Sequence, residues 1–417
     1  MVVQTKNLYA TVKDLIDQTE ITDIHTHLYA PEFGKNLLLS GIDELLTYHY
    51  LIAEVMRVSN ISYDDYWKMT KAEQANLIWQ ELFINRTPYS EACRGVVTTL
   101  KNLGLDLKSR NLQDYRDYLS QFSLTEYVDW IFEKANIKSV VMTNDPFDSE
   151  ERPVWLEGRK RDSRFHAALR IDPLLNDYAS THKLLQSWGF EVKESLDDRT
   201  VSELKRFVSE WIERMEALYV AVSLPDTFKY PEQSIRSDLI AKVILPVCRE
   251  KNVPFAMMIG VKRGVNPDLK SAGDSVAKAD IQSVENICQA FPKNKFLVTM
   301  LSRENQHELA VTARKFRNLM VFGCWWFLNN PTLIDEMTSM RFELLGTSVI
   351  PQHSDARVLD QLVYKWSHSR QIIAQVLTRQ YQNLIDSGWH LEEEEIKRDV
   401  KQLFNDNFWD FLSLKLP

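Results

Sequence analysis

The stretch ITDIHTHLYAPEFG, residues 21–34, joins a short apolar run, two histidines two positions apart, and a break at Pro-Glu-Phe-Gly. On a strand, residues i and i+2 face the same way, so His25 and His27 share one surface. One reading is a solvent-facing strand edge. The other is a pair of metal ligands at the mouth of a barrel, since imidazole suits zinc and other borderline divalent ions. HxH alone is a weak motif, and the rest of the chain must decide.

Working outward, short apolar or β-branched runs recur along the chain, most of them followed by a helix-period segment. They fall at 22–27, 137–143, 165–171, 217–224, 253–260, 295–300, 318–323 and 344–351. Continuous apolar runs suit strands buried on both faces of a parallel sheet. Eight such units predict an α/β fold of the (β/α)8 TIM-like barrel type. No GxGxxG turn follows any of them, which weakens a dinucleotide-binding alternative.

The gap between the first two runs is anomalous. Residues 30–136 are rich in helical pattern and read as a helical insertion, or cap, over the barrel mouth within a single domain spanning 1–417. Residues 173–216 read as a solvated amphipathic helix pair. The tail at 392–412 reads as a packing helix with an acidic start.

The chain has 417 residues, 44% of them hydrophobic and 26% charged, with a net charge of −8. That balance argues against nucleic-acid binding, because no basic stripe is present to displace phosphate counterions. Four scattered cysteines (93, 248, 288, 324) form no CxxC pair and fit a reducing compartment. The first eighteen residues read as an amphipathic helix without a signal-peptide core, and no apolar stretch is long enough to cross a bilayer. A cytoplasmic protein with no membrane partner is expected.

The last run changes the reading of the histidines. VIPQHSDARVLDQL ends a strand with Asp355, and Arg357 follows two residues later. Asp355 can cap the helix that follows, a common role for Asp. Taken with His25 and His27, it reads as the third ligand of a mononuclear site closed across the barrel.

At this point the chain resembles the uronate isomerase (glucuronate isomerase) family of the amidohydrolase superfamily, nearly end to end. The landmarks are TDIHTHLYAPEFG, LLTYHY, VVMTNDPFD, AALRIDP, IGVKRGVNP, FGCWWFLNN and HSDAR. The resemblance implies an intramolecular oxidoreductase, interconverting D-glucuronate with D-fructuronate and D-galacturonate with D-tagaturonate. It implies one divalent metal, Zn2+ first, on His25, His27 and Asp355. His49 and Tyr50 match the family's active-site pair, Arg170 and Arg357 its substrate-binding arginines, Trp326 or Trp325 its active-site tryptophan, and Arg263 the arginine after the fifth run. A small hexuronate is the expected partner, with a homo-oligomer allowed for.

Two departures stand out. Met258 occupies a position where the family often has histidine, and VSLPD replaces its usual Ser-Asp-His, leaving Asp226 without a clear match. The chemistry fits the residues independently. Aldose–ketose isomerisation needs a base near C2, a proton donor for the carbonyl oxygen, and positive charge for the enediolate and carboxylate. Asp355 and Tyr50 both suit the carbon-bound proton. Each residue also has a plainer role: Arg170 can pair with Asp172, and the tryptophans can be core aromatics. The competing function is a metal-dependent hydrolase of the same superfamily, with Asp355 activating a metal-bound water.

Overall fold

The computed structural model describes residues 7–158 and 160–416. Its sheet contains eight strands: β1 Ile21–Thr26, β2 Ile137–Asn144, β3 Phe165–Arg170, β4 Val220–Pro225, β5 Phe255–Lys262, β6 Ser275–Val276, β7 Phe296–Met300 and β8 Leu319–Val321. Seven run in the order β1-β2-β3-β4-β5-β7-β8, each parallel to its neighbour. The eighth, β6, is a two-residue strand that the sequence does not announce, antiparallel on the end of β5.

The expected strand at 344–351 does not form as such. Residues up to Leu345 belong to the helix Pro331–Leu345, which Gly346 ends at a φ of +60°. Only Ile350 then bridges to Phe322. The segment nonetheless closes the sheet. The amide of Gly323 donates to Ile350 O at 2.8 Å, that of Asp355 to His25 O at 3.2 Å, and that of His27 to Ala356 O at 2.7 Å. The eighth stave is therefore an irregular extended chain lying directly beside β1. Asp355 sits next to the histidines across a seam, not opposite them across the barrel.

Side chains alternate across the staves as a packed barrel requires. Ile24, Val141, Ala168, Ala221, Ala256, Met258, Leu297 and Met320 form one interior cluster, while Val140, Leu169, Val220, Met257 and Val298 pack outward against helices. The C-terminal helix Asn407–Ser413 plugs one end, with Phe408 and Phe411 inside that interior cluster. Met258, where the family often has histidine, is thus a core residue.

The long helix Gln361–Asp386 is the main outer brace. Its Arg370 guanidinium donates to the backbone oxygens of Ile16, Asp17, Thr19 and Asn136. That single side chain satisfies carbonyls at the end of the N-terminal helix Leu8–Gln18 and at the entry to β2. Between β1 and β2 lies a run of short helices, including His49–Met56, Glu91–Asn102 and Leu124–Ala135. This region reaches the loop after β5, where Trp67 Nε1 donates to Asp268 O at 2.8 Å and Lys270 lies over the Trp67 ring.

Candidate active site

His25, His27 and Asp355 converge where β1 and the closing segment end. One ligand atom from each lies within 4.8 Å of the others. Asp355 adopts a φ of +53°, a left-handed conformation that Asp tolerates better than most residues. His25 is 1% exposed and Asp355 5% exposed, so water cannot readily satisfy either.

Hydroxyls fix both rings. Tyr219 donates its only hydroxyl proton to Ile24 O at 2.7 Å and lies 3.1 Å from His25 Nδ1. The hydroxyl can only accept from that nitrogen, so His25 carries its proton on Nδ1. Thr143 repeats the device: its hydroxyl donates to Thr26 O and stands 3.5 Å from His27 Nδ1. Both Nε2 atoms are then bare lone pairs. They face Asp355 Oδ1 at 3.7 Å and 3.4 Å. His25 Nε2 and Asp355 Oδ1 are buried without a hydrogen-bond partner. Acceptors turned on one another in this way fit a shared cation, and neutral imidazole with an outer hydrogen bond is the form that binds metal. Burial, the largest influence on both rings, lowers the pKa of His25 and of His27 and favours that neutral form.

His353 packs its ring 5.2 Å from that of His25 and has both nitrogens unpartnered. Gly323 makes the room: a Cβ there would fall 1.7 Å from His353 Nδ1, and its φ is +66°. Burial pushes the His353 pKa down to about 4.

The second half of the site comes from the first turn of the helix His49–Met56. The ring of His49 lies 4.5 Å from that of Tyr50 and 5.5 Å from that of Trp326. His49 Nε2, Tyr50 Oη and Trp326 Nε1 are all buried and without a partner. Burial pushes the His49 pKa down to about 3 and those of Tyr48 and Tyr50 well above the usual phenol value. The charge of Asp355 also acts on Tyr48 and on His49, so the aromatic group lies within electrostatic reach of the His-His-Asp cluster. Trp326 has a φ of +46°, a strained conformation for a bulky residue, of the kind that concentrates at functional sites. Trp325 is 3% exposed and belongs to the interior cluster.

The arginines differ. Arg170 Nε and Nη2 bond Asp172 at 2.8 Å and 3.1 Å, so the pairing set against its binding role in the sequence is present. The charge of Asp172, the largest influence, raises the pKa of Arg170 further. Arg357 is exposed, and among the described residues no carboxylate pairs with its guanidinium. Arg263 is largely exposed and pairs with Asp274 on the loop after β5, and the charge of Asp274 in turn acts on His49. Asp226 is not part of that cluster.

Sequence reasoning missed Tyr219, Thr143 and Tyr48. The one signal for Tyr219 was a tyrosine within an otherwise apolar strand run.

A parallel barrel carrying a His-His-Asp cluster able to hold a metal at one end of its staves defines a metal-site barrel of the TIM type. No protein-family model matches the chain, and no curated protein sequence does. Among solved structures, a uronate isomerase from Bacillus halodurans C-125 is 56% identical, with a TM-score of 0.98, over 100% of this chain and 98% of that one. The chain therefore belongs to the uronate isomerase family and is an isomerase. A uronate isomerase from Thermotoga maritima (15% identity, TM-score 0.79, 99% of this chain and 100% of that one) shares the fold. So does a glucuronate isomerase from Caulobacter crescentus (13% identity, TM-score 0.80, 99% of this chain and 95% of that one).

Proposed function

We propose that the chain interconverts an open-chain hexuronate with its 2-ketose, D-glucuronate with D-fructuronate and D-galacturonate with D-tagaturonate. The observation that carries this reading is one juxtaposition. Three acceptors facing a common centre stand beside a half-buried Tyr50–His49 pair, with Tyr50 Oη and His49 Nε2 unpartnered, at the mouth of a barrel whose full-length relative is a uronate isomerase.

The proton inventory is simple. One proton leaves C2 and one arrives at C1, while the O2 hydrogen is lost and O1 gains one, through a cis-enediol. His25, His27 and Asp355 would hold a divalent ion, zinc first, whose chemistry when bound is to polarise substrate oxygens. Tyr50 and Asp355 are the groups that exchange protons with the substrate, with His49 beside the phenol. Arg357, lacking a carboxylate partner, takes up the substrate carboxylate, and Arg170 offers the N–H groups that Asp172 leaves free. Trp326 walls the site against water and Trp325 backs it. Arg263 belongs to the outer rim.

Asp355→Asn tests the reading. Turnover should fall by about 10³-fold or more, and metal affinity should fall with it, while the melting temperature stays close to wild type. Isomerase activity that survives this change would place the site elsewhere.

A further inference from the structure

Lys365 is a buried lysine beside Tyr50. It lies on the brace helix Gln361–Asp386 and is only 3% exposed. Its Nζ stands 5.6 Å from the ring centroid of Tyr50 and 6.0 Å from that of Tyr364. Among the described residues, no carboxylate lies within ion-pair distance of it. Burial lowers its pKa; Asp355, Glu91 and Asp23 act on it only at longer range, and its own charge reaches His49 and His353. Buried charges in folded proteins are ordinarily paired, because an unpaired one is costly to desolvate. An apolar residue of the same length would pack this position without that cost.

Tyr50 supplies the reason. Its hydroxyl is buried and unpartnered, and the surroundings oppose a charged phenolate. If Tyr50 gives up its proton to the substrate, negative charge develops on a phenol sealed from water. A cation 5.6 Å from the ring centre offsets part of that charge.

We propose that Lys365 is a positioning residue for the isomerisation: its ammonium holds the Tyr50 ring and stabilises the phenolate while the phenol proton resides on the substrate. The proton returns to Tyr50 when the product forms, so Lys365 itself loses and gains nothing. This rests on the proton-exchanging role given to Tyr50 above.

The test is a double-mutant cycle in the metal-loaded enzyme with Lys365→Met, Tyr50→Phe and the double variant. Lys365→Met is expected to lower kcat by about 30-fold with KM changed by less than about threefold, at unchanged metal content and melting temperature. In the Tyr50→Phe background the same change should cost less than about twofold. Lys365→Arg, which keeps the charge, should recover most of the lost rate, and it carries the test if Lys365→Met does not fold. An equal loss in both backgrounds, or an arginine variant that folds yet is as slow as methionine, overturns the proposal. A near-normal Lys365→Met beside a crippled Tyr50→Phe overturns it alone. A Tyr50→Phe enzyme with wild-type turnover removes the role of Tyr50 and this proposal together.

Discussion

Two hydroxyls set the state of the two histidines that could hold a metal. Because Tyr219 spends its proton on Ile24 O, His25 can present only a bare Nε2 to the site. Tyr219→Phe removes that constraint and leaves Ile24 O without its donor. Metal affinity should drop by about 10- to 100-fold, the usual cost of losing an outer-shell partner. Stability should fall by about 1 kcal/mol. Titrating the apo variant with zinc beside wild type checks this, and an unchanged dissociation constant would refute the tautomer assignment. At this scale the sequence was only half legible. The HxH spacing and the aspartate of HSDAR pointed to the three residues that the fold brings together, because strand geometry makes i and i+2 neighbours. Tyr219 lies far along the chain from the histidine it meets, and no local pattern reports such a contact.

Among elements, the eighth stave departs most from expectation. A regular strand would continue the ladder but could not swing Asp355 into a left-handed turn beside His25. The irregular path from Ile350 is pinned from outside instead. Asp23 accepts from the Ser354 amide at 3.1 Å and from Trp366 Nε1 at 2.8 Å. Gln352 accepts from the Cys324 amide at 2.9 Å and donates to Ser369 Oγ at 2.8 Å. Composition cannot reveal such a stave, because its backbone groups are satisfied by side chains remote in sequence. The N-terminal helix, the acidic start at Glu392 with its capping box, and the buried strands were legible, since their signals are local.

The turn after β2 yields a pH prediction. Glu151 is fully buried and accepts from Tyr29 Oη, the Asp145 amide and Trp155 Nε1 at 2.9–3.0 Å. Burial outweighs those donors and pushes its carboxyl up to about 7 from 4.5. Between those values the folded state keeps a proton that the unfolded state has lost, so this contribution to stability declines as pH rises from about 4.5 to about 7. Glu151→Gln has no proton to lose. Its deficit relative to wild type should shrink across that window, by on the order of 1–3 kcal/mol, in urea unfolding curves. Parallel curves from pH 4 to 8 would mean the carboxylate is already ionised.

For the whole molecule, repeated apolar runs separated by helix-period segments were enough to imply a barrel, because a parallel sheet must be covered on both faces. The fold places the ligand cluster, the Tyr50–His49 pair and Arg357 around one mouth, with the helices between β1 and β2 supplying what the staves cannot. Among the described residues, no helix is long and apolar enough to cross a membrane. The central claim concerns chemistry on a sugar acid. Its most direct test is to follow the zinc-loaded protein by NMR with D-glucuronate and, separately, D-galacturonate in heavy water. The account predicts the matching 2-ketose from at least one of them, with deuterium entering at C1 to the extent that the proton-carrying group exchanges with solvent. Unchanged hexuronate from both, together with hydrolysis of an ester, amide or lactone, would contradict it.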